Sequence, residues 1–177
     1  MAAVVINRKT RLAVQRIAPA ENIAAEDGQG WLVHMNDNGY EIYLSANALK
    51  VEARSRTRED IEAIRHICLD IVDNGDQPLE RLLARSGLPR PNYVMTTSPQ
   101  KYQLIWKVQG FSSKQAEALQ KHLAQDTGAD WAATDSARVL RLPGFHNRRC
   151  DPPHLIEARE MSKETHTLES FSGLGQS

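Results

Sequence analysis

Three short tracts hold most of the residues that could do chemistry. In the first, the apolar run IRHICLDIV carries Asp70 near its end and runs into the turn Asp73-Asn74-Gly75. A carboxylate at the end of a buried strand is costly unless it is paired, solvated or bound to a cation. Hard divalent cations take oxygen ligands, and two of them can clamp the attacking and leaving oxygens of a phosphoryl transfer. Asp70 and Asp73 are therefore candidate ligands for Mg²⁺ or Mn²⁺. The competing reading is a strand-end aspartate that only serves the turn.

The second tract is TTSPQKYQLIW. Ser98-Pro99 breaks two strands and leaves Lys101 and the donors of Ser98 and Gln103 near one sheet end, where they could meet a triphosphate. A plain hairpin with a surface lysine is the alternative. The third tract, GADWAATDSARVLRLPGFHNRR, carries Asp130 and Asp135, then Arg138 and Arg141. Strand alternation puts Arg141 with Val139 on one face and Leu140 with Leu142 on the other. An arginine between core leucines suits a phosphate or carboxylate clamp, or a structural pair with Asp130 or Asp135. His146 reads as a surface histidine.

The elements that must position these side chains follow from pattern and punctuation. Residues 4–17 read as a hairpin around the NRKT turn, and Pro19 opens a short helix that Asp27-Gly28 breaks. Asn38-Gly39 precedes a strand, YEIYLS, and IRHICLDIV reads as a buried central strand. A helix from Pro78 to Gly87, strands over 92–97 and 102–108, and an amphipathic helix ending at Gly128 come next. VLRLPGF and HLIEAR are the last strands. Strands neighbour one another as often as they alternate with helices, which predicts an α+β fold. Residues 1–160 form the expected domain; residues 161–177 are polar and read as a frayed tail or the start of a linker.

Composition narrows the function classes. The 177 residues fit one domain, and no apolar run reaches the roughly 20 residues of a membrane helix. Without a signal-peptide pattern, cytoplasm is the expected compartment. Cys68 and Cys150 lie far apart, which argues against a disulfide framework or structural zinc, and Cys68 reads as a core residue. A net charge of zero argues against wrapping duplex DNA by bulk electrostatics but leaves room for a local basic groove. Arg54, Arg56 and Arg58 make one basic cluster, read as a solvated loop, and Arg138, Arg141, Arg148 and Arg149 make another.

Taken in order, WLVHMNDNGYEIYLS, the apolar strand ending in Asp, TTSPQKYQLIWKV and TDSARVLRLPGFHNRR resemble RepB-like plasmid primase domains of the archaeo-eukaryotic primase superfamily. The resemblance runs from about Trp31 to Arg149, and TSPxxYQxxWKV and RLPGFxNR are its most distinctive parts. It implies an RRM-like primase core, with mostly antiparallel sheets flanked by helices. It also implies metal-dependent primer synthesis on a single-stranded DNA template from nucleoside triphosphates, with a helicase or other replication proteins as further candidate partners.

Carried over by position, Asp70 matches the first acid of the first motif, and Ser98 and Gln103 match the nucleotide-binding motif. Asp135 or Asp130 matches the third acid, and Arg138, Arg141 and Asn147 match the tract that follows. In this pattern Asp70 and Asp135 are the expected catalytic acids, with Asp73 and Asp130 as further metal ligands and Lys101 on the triphosphate. One departure stands out. Ile71 and Val72 occupy the positions where the family places its second acid, and Asp73 lies one residue further, on the opposite face of a regular strand. Two functions are thus expected to compete: an active primase, and a degenerate relative that binds nucleotides or single strands as a replication or mobilisation accessory.

Overall fold

The computed structural model describes residues 1–7, 9–72, 74–127 and 135–175. Two four-stranded, fully antiparallel sheets organise them. The first contains β1 (Ala2–Asn7), β2 (Ala13–Ile17), β3 (Tyr40–Ser45) and β9 (Val139–Arg141), in the order β2-β1-β3-β9. The second contains β6 (His66–Ile71), β7 (Tyr93–Ser98), β8 (Lys101–Lys107) and β12 (Glu157–Glu160), in the order β12-β7-β8-β6. Two small ladders, β4 (Ala48–Leu49) with β5 (Ile61–Ala63) and β10 (His146–Asn147) with β11 (His154–Leu155), complete the strands described.

Helices cover one face of each sheet. In the first, Ala3, Val5 and Ile42 alternate toward Ile23 of α1 (Ala20–Ala24) and Leu32 of α2 (Glu26–Asp37). In the second, Ile67, Leu69, Ile71, Leu104 and Trp106 alternate toward α3 (Asp76–Leu83) and α4 (Ser113–Thr127). The sheets meet where Ala46 and Leu140 pack on Cys68, Met95 and Ile105. Burial pushes the Cys68 thiol up to about 12, as suits an inert core residue.

The α+β class expected from the sequence is present, and YEIYLS forms β3 residue for residue. Four local expectations need correction. Gly28 does not break a helix but lies inside α2: a Cβ there would fall 2.4 Å from the Asn22 carbonyl oxygen, so the glycine lets α2 close against α1. The strand over 64–72 is not central. β6 is an edge, and side-chain amides occupy its outward donors: Asn47 Oδ1 accepts from the Arg65 and His66 N–H groups (2.8 and 3.0 Å) and Gln120 Oε1 from Cys68 (2.9 Å).

HLIEAR divides at the buried Ile156 between β11 and β12, so its two halves serve different ladders. Finally, residues 161–175 do not fray. His166 bridges Val108, and a 3₁₀ turn over Leu168–Gly175 places Phe171 and Leu174 in the core of the second sheet. Its entry is close: Gly173 lies against Gly87, where a Cβ would meet the Gly173 carbonyl oxygen at 2.8 Å.

Candidate nucleotide-binding cleft

A cleft of about 630 Å³ opens between the uncovered face of the first sheet and one end of the second. From the first sheet come Ile6, Tyr43, Val139 and Arg141, all on one face by strand alternation and register. The second contributes Asp70 from the end of β6, Gln103 from β8, and Ser98 and Lys101 flanking the β7–β8 turn. Arg138, Asn147 and Arg149 close the rim.

The β7–β8 turn is fixed at several points. Gln100 adopts φ 58°, and its carbonyl accepts from Gly75 N–H (3.0 Å). A Cβ at Gly75 would lie 2.5 Å from that oxygen, so only glycine lets the two segments approach so closely. The Tyr102 hydroxyl donates to Asp76 Oδ1 (2.5 Å), a bond that raises the phenol's pKa. Ser98 is buried, while the Lys101 ammonium reaches solvent and makes no ion pair among the described residues.

Asp70 is the sole carboxylate among the described residues lining the cleft. Gln103 sits directly opposite it in the ladder and donates Nε2–H to Oδ1 (2.7 Å). Arg138 pairs with Oδ2 from across the cleft, with side-chain exposures of 9% for the arginine and 20% for the aspartate. Arg141 pairs instead with Glu41, a residue of β3 that is 1% exposed. Asn147 is buried and tethers the β10–β11 hairpin: Nδ2–H donates to the Thr97 carbonyl (2.7 Å) and Oδ1 accepts from Arg149 N–H (3.1 Å).

Asp70, Ser98, Lys101, Gln103, Arg138, Arg141 and Asn147, which the sequence singles out, therefore share one cleft. Asp135 does not line it. Its Oδ1 accepts from Ala137 N–H (2.9 Å), shaping the turn that leads into β9, and faces Arg58 Nε at 3.3 Å. Arg58 also lies 3.3 Å from Glu117, so this basic cluster is partly spent on surface pairs, which contribute little to stability. Asp73 and Asp130 lie outside the described residues.

Sequence reasoning missed Glu41 and Tyr43 and named Arg149 only as part of a basic cluster. Strand alternation could have found the first two, since Glu41, Tyr43 and Ser45 must share a face.

Four basic side chains against one carboxylate make a site for a polyanion. For a divalent cation the fit is incomplete. A hard cation takes about six or more oxygen ligands, whereas the described residues offer one carboxylate here, Asp70, with both oxygens already engaged. No group of three or more histidine, cysteine or acidic side chains comes together among them.

Residues 10–167 match the family model described as the RepB DNA-primase N-terminal domain. No curated protein matches the sequence. The fold is similar to that of the catalytic domain of primase RepB′ solved in complex with initiator DNA. That similarity has a TM-score of 0.72 at 24% identity, over 99% of this chain and 85% of that one. A longer RepB′ primase structure gives a TM-score of 0.74 at 24% identity; 99% of this chain is covered but only 56% of that one. The archaeo-eukaryotic primase domain of the cyanophage S-2L primase-polymerase gives 0.70 at 16% identity, over 99% and 85% of the two chains.

Proposed function

The chain belongs to the family of RepB DNA-primase N-terminal domains, and from that premise we propose that its cleft binds a nucleoside triphosphate and joins nucleotides into primers on single-stranded DNA. In the reaction the 3′-oxygen of one nucleotide bonds to the α-phosphorus of the next. The α–β bridging P–O bond breaks, pyrophosphate leaves, and the hydroxyl proton passes to solvent. The observation that carries this reading is the meeting of Asp70, Gln103, Ser98 and Lys101 from one sheet with Arg138 and Arg141 from the other, in one basic cleft.

The tasks divide among these side chains. Lys101 and Arg149, cations without a carboxylate partner among the described residues, neutralise the β- and γ-phosphates. Arg141 presents a planar fork to the same group. Ser98 offers a hydroxyl, and Asn147 holds the rim in place. Gln103 orients the Asp70 carboxylate. Mg²⁺ or Mn²⁺ is the proposed cofactor, with Asp70 as the ligand in the cleft. Because Asp70 is the one carboxylate that the described residues bring to the cleft, a fuller set draws on Asp73 or Asp130. The single-stranded template is proposed by analogy with the RepB′ domain, which was solved with initiator DNA.

Labelled-nucleotide incorporation on a single-stranded template, in Mg²⁺ and in Mn²⁺, tests the reading. Wild type is expected to make dinucleotides and longer primers, and Asp70→Asn to lose them. Full activity in Asp70→Asn overturns the assignment.

A second reading has one observation behind it. Val72 lines the cleft two residues beyond Asp70, where an acid would complete a pair. If the domain is a degenerate binding module, Val72→Asp alone creates or greatly increases primer synthesis. Primer synthesis by the wild type ends that reading.

A further inference from the structure

Glu41 has no place in the roles above, yet it is the most deeply buried charge beside the cleft, at 1% exposure. It does not line the cavity; it stands behind two residues that do. Tyr43 and Arg141 are direct cross-strand partners in β3 and β9, and Glu41 lies two residues from Tyr43 on the same face. Its Oε2 pairs with Arg141 Nη1 and accepts, at 3.5 Å, from the Tyr43 hydroxyl. The Arg141 guanidinium also lies 5.1 Å from the centre of the Tyr43 ring.

Two details argue that this arrangement serves more than stability. Glu41 Oε1 is buried and has no hydrogen-bond partner among the described residues, so the carboxylate is only half satisfied. A well-packed apolar pair at such a place is commonly at least as stable as a buried ion pair. Meanwhile Glu41 engages one of the guanidinium's five donors, and the Arg141 side chain makes no other hydrogen bond among the described residues. The carboxylate thus holds the arginine from behind and leaves most of its fork for whatever enters the cleft.

We infer that Glu41 is a positioning residue that acts through Arg141 to pre-orient its guanidinium for the triphosphate of the incoming nucleotide. This role rests on the reading of the cleft as a nucleotide site. A fixed fork binds phosphate without first losing its rotational freedom, so the benefit falls on nucleotide affinity rather than on the bond-making step.

The test compares Glu41→Gln, Arg141→Lys and the double variant in primer synthesis, with equilibrium binding of a nucleoside triphosphate measured in parallel. Arg141→Lys keeps a cation opposite Glu41, so folding is protected. Glu41→Gln is expected to raise KM for the nucleotide roughly tenfold, the equivalent of one well-made charged hydrogen bond, with kcat within about twofold of wild type. Arg141→Lys should behave alike, and the double variant should be no worse than the more affected single one.

Unchanged KM and nucleotide affinity in Glu41→Gln overturn the role, even if the melting temperature falls. So does a double variant in which the two effects multiply. If Lys101→Ala and Asp70→Asn also leave nucleotide binding and synthesis unchanged, the nucleotide-site reading itself has failed. An effect there with none in Glu41→Gln removes only Glu41.

Discussion

The two walls of the cleft differ in what supports them. The β12-β7-β8-β6 sheet stands on the larger apolar cluster, where Leu104 and Trp106 are fully buried and α3, α4 and the 3₁₀ turn at 168–175 all converge. It faces the cleft with a carboxylate that it steadies itself, through Gln103. The β2-β1-β3-β9 sheet stands on a smaller cluster around Leu32, Ile42 and Phe145 and faces the cleft with arginine. One of its charges, Arg141, is held within its own sheet by Glu41, while Arg138 reaches across to Asp70. The first wall is thus a platform, and the second is positioned partly by ion pairs, one of which joins the walls.

The sharpest way to break this contrast is at the joint. Asp70→Asn removes the charge that ties Arg138 to the opposite sheet, and primer synthesis should fall by about 100-fold or more, as when a preorganised electrostatic contact is removed from a reacting centre. Incorporation assays read this directly, and a smaller loss would make the joint dispensable.

Next comes the platform's support. Phe171 makes edge-on contacts with Trp106, Phe111 and His166 at centroid distances of 6.1 to 6.4 Å. Phe171→Ala should cost about 3–5 kcal/mol of stability, measured by urea denaturation. A cost near zero would return the C-terminal segment to the role of a tail.

A smaller effect separates the two clusters. Leu104 and Leu32 are both fully buried. Leu→Ala at each should cost about 2–5 kcal/mol, with Leu104→Ala toward the upper end because its denser surroundings collapse less readily. Equal costs would erase the contrast between platform and partner wall.

The smallest effect is on pH dependence. His66 at the start of β6 is half-buried, and burial holds its pKa below the ordinary 6.5. With the folded pKa depressed, its contribution to stability is complete above pH 6.5 and is lost as pH falls toward the lower folded value. Denaturation midpoints at pH 7.5 and 5 should therefore differ less in His66→Asn than in wild type.

Much of this could be read from local pattern, and the exceptions have physical reasons. YEIYLS was legible because β-favouring residues follow the Asn38-Gly39 turn, and the helix after Ser112 because its apolar period agrees with burial. The site tracts were legible because each ends a strand at a break, and strand ends are where side chains can meet a ligand. Gly28 misled because a helix interior and a helix break use the same residue; what decides is the Asn22 carbonyl packed against it.

Edge and centre of a sheet cannot be told from an apolar run when a helix covers the edge, as α4 covers β6. The segment after Met161 hid its role because Phe171 and Leu174 are sparse among polar neighbours. Asp135 reads in the sequence as a catalytic acid or as a structural partner of Arg141, and only tertiary structure supplies Arg58 beside it. Glu41 drew no attention in the sequence because a charged position in a strand ordinarily faces water.

The amides of Asn47 and Gln120 act as surrogates for a fifth strand of the β12-β7-β8-β6 sheet. By occupying the outward donors of residues 65, 66 and 68 they leave a second molecule nothing regular to zip onto along that flank. At the opposite margin the strand Glu-Ala-Arg-Glu bristles with charge and discourages the same encounter. Two copies of the chain are in this way kept from adhering to each other through the very sheet that carries the carboxylate of Asp70.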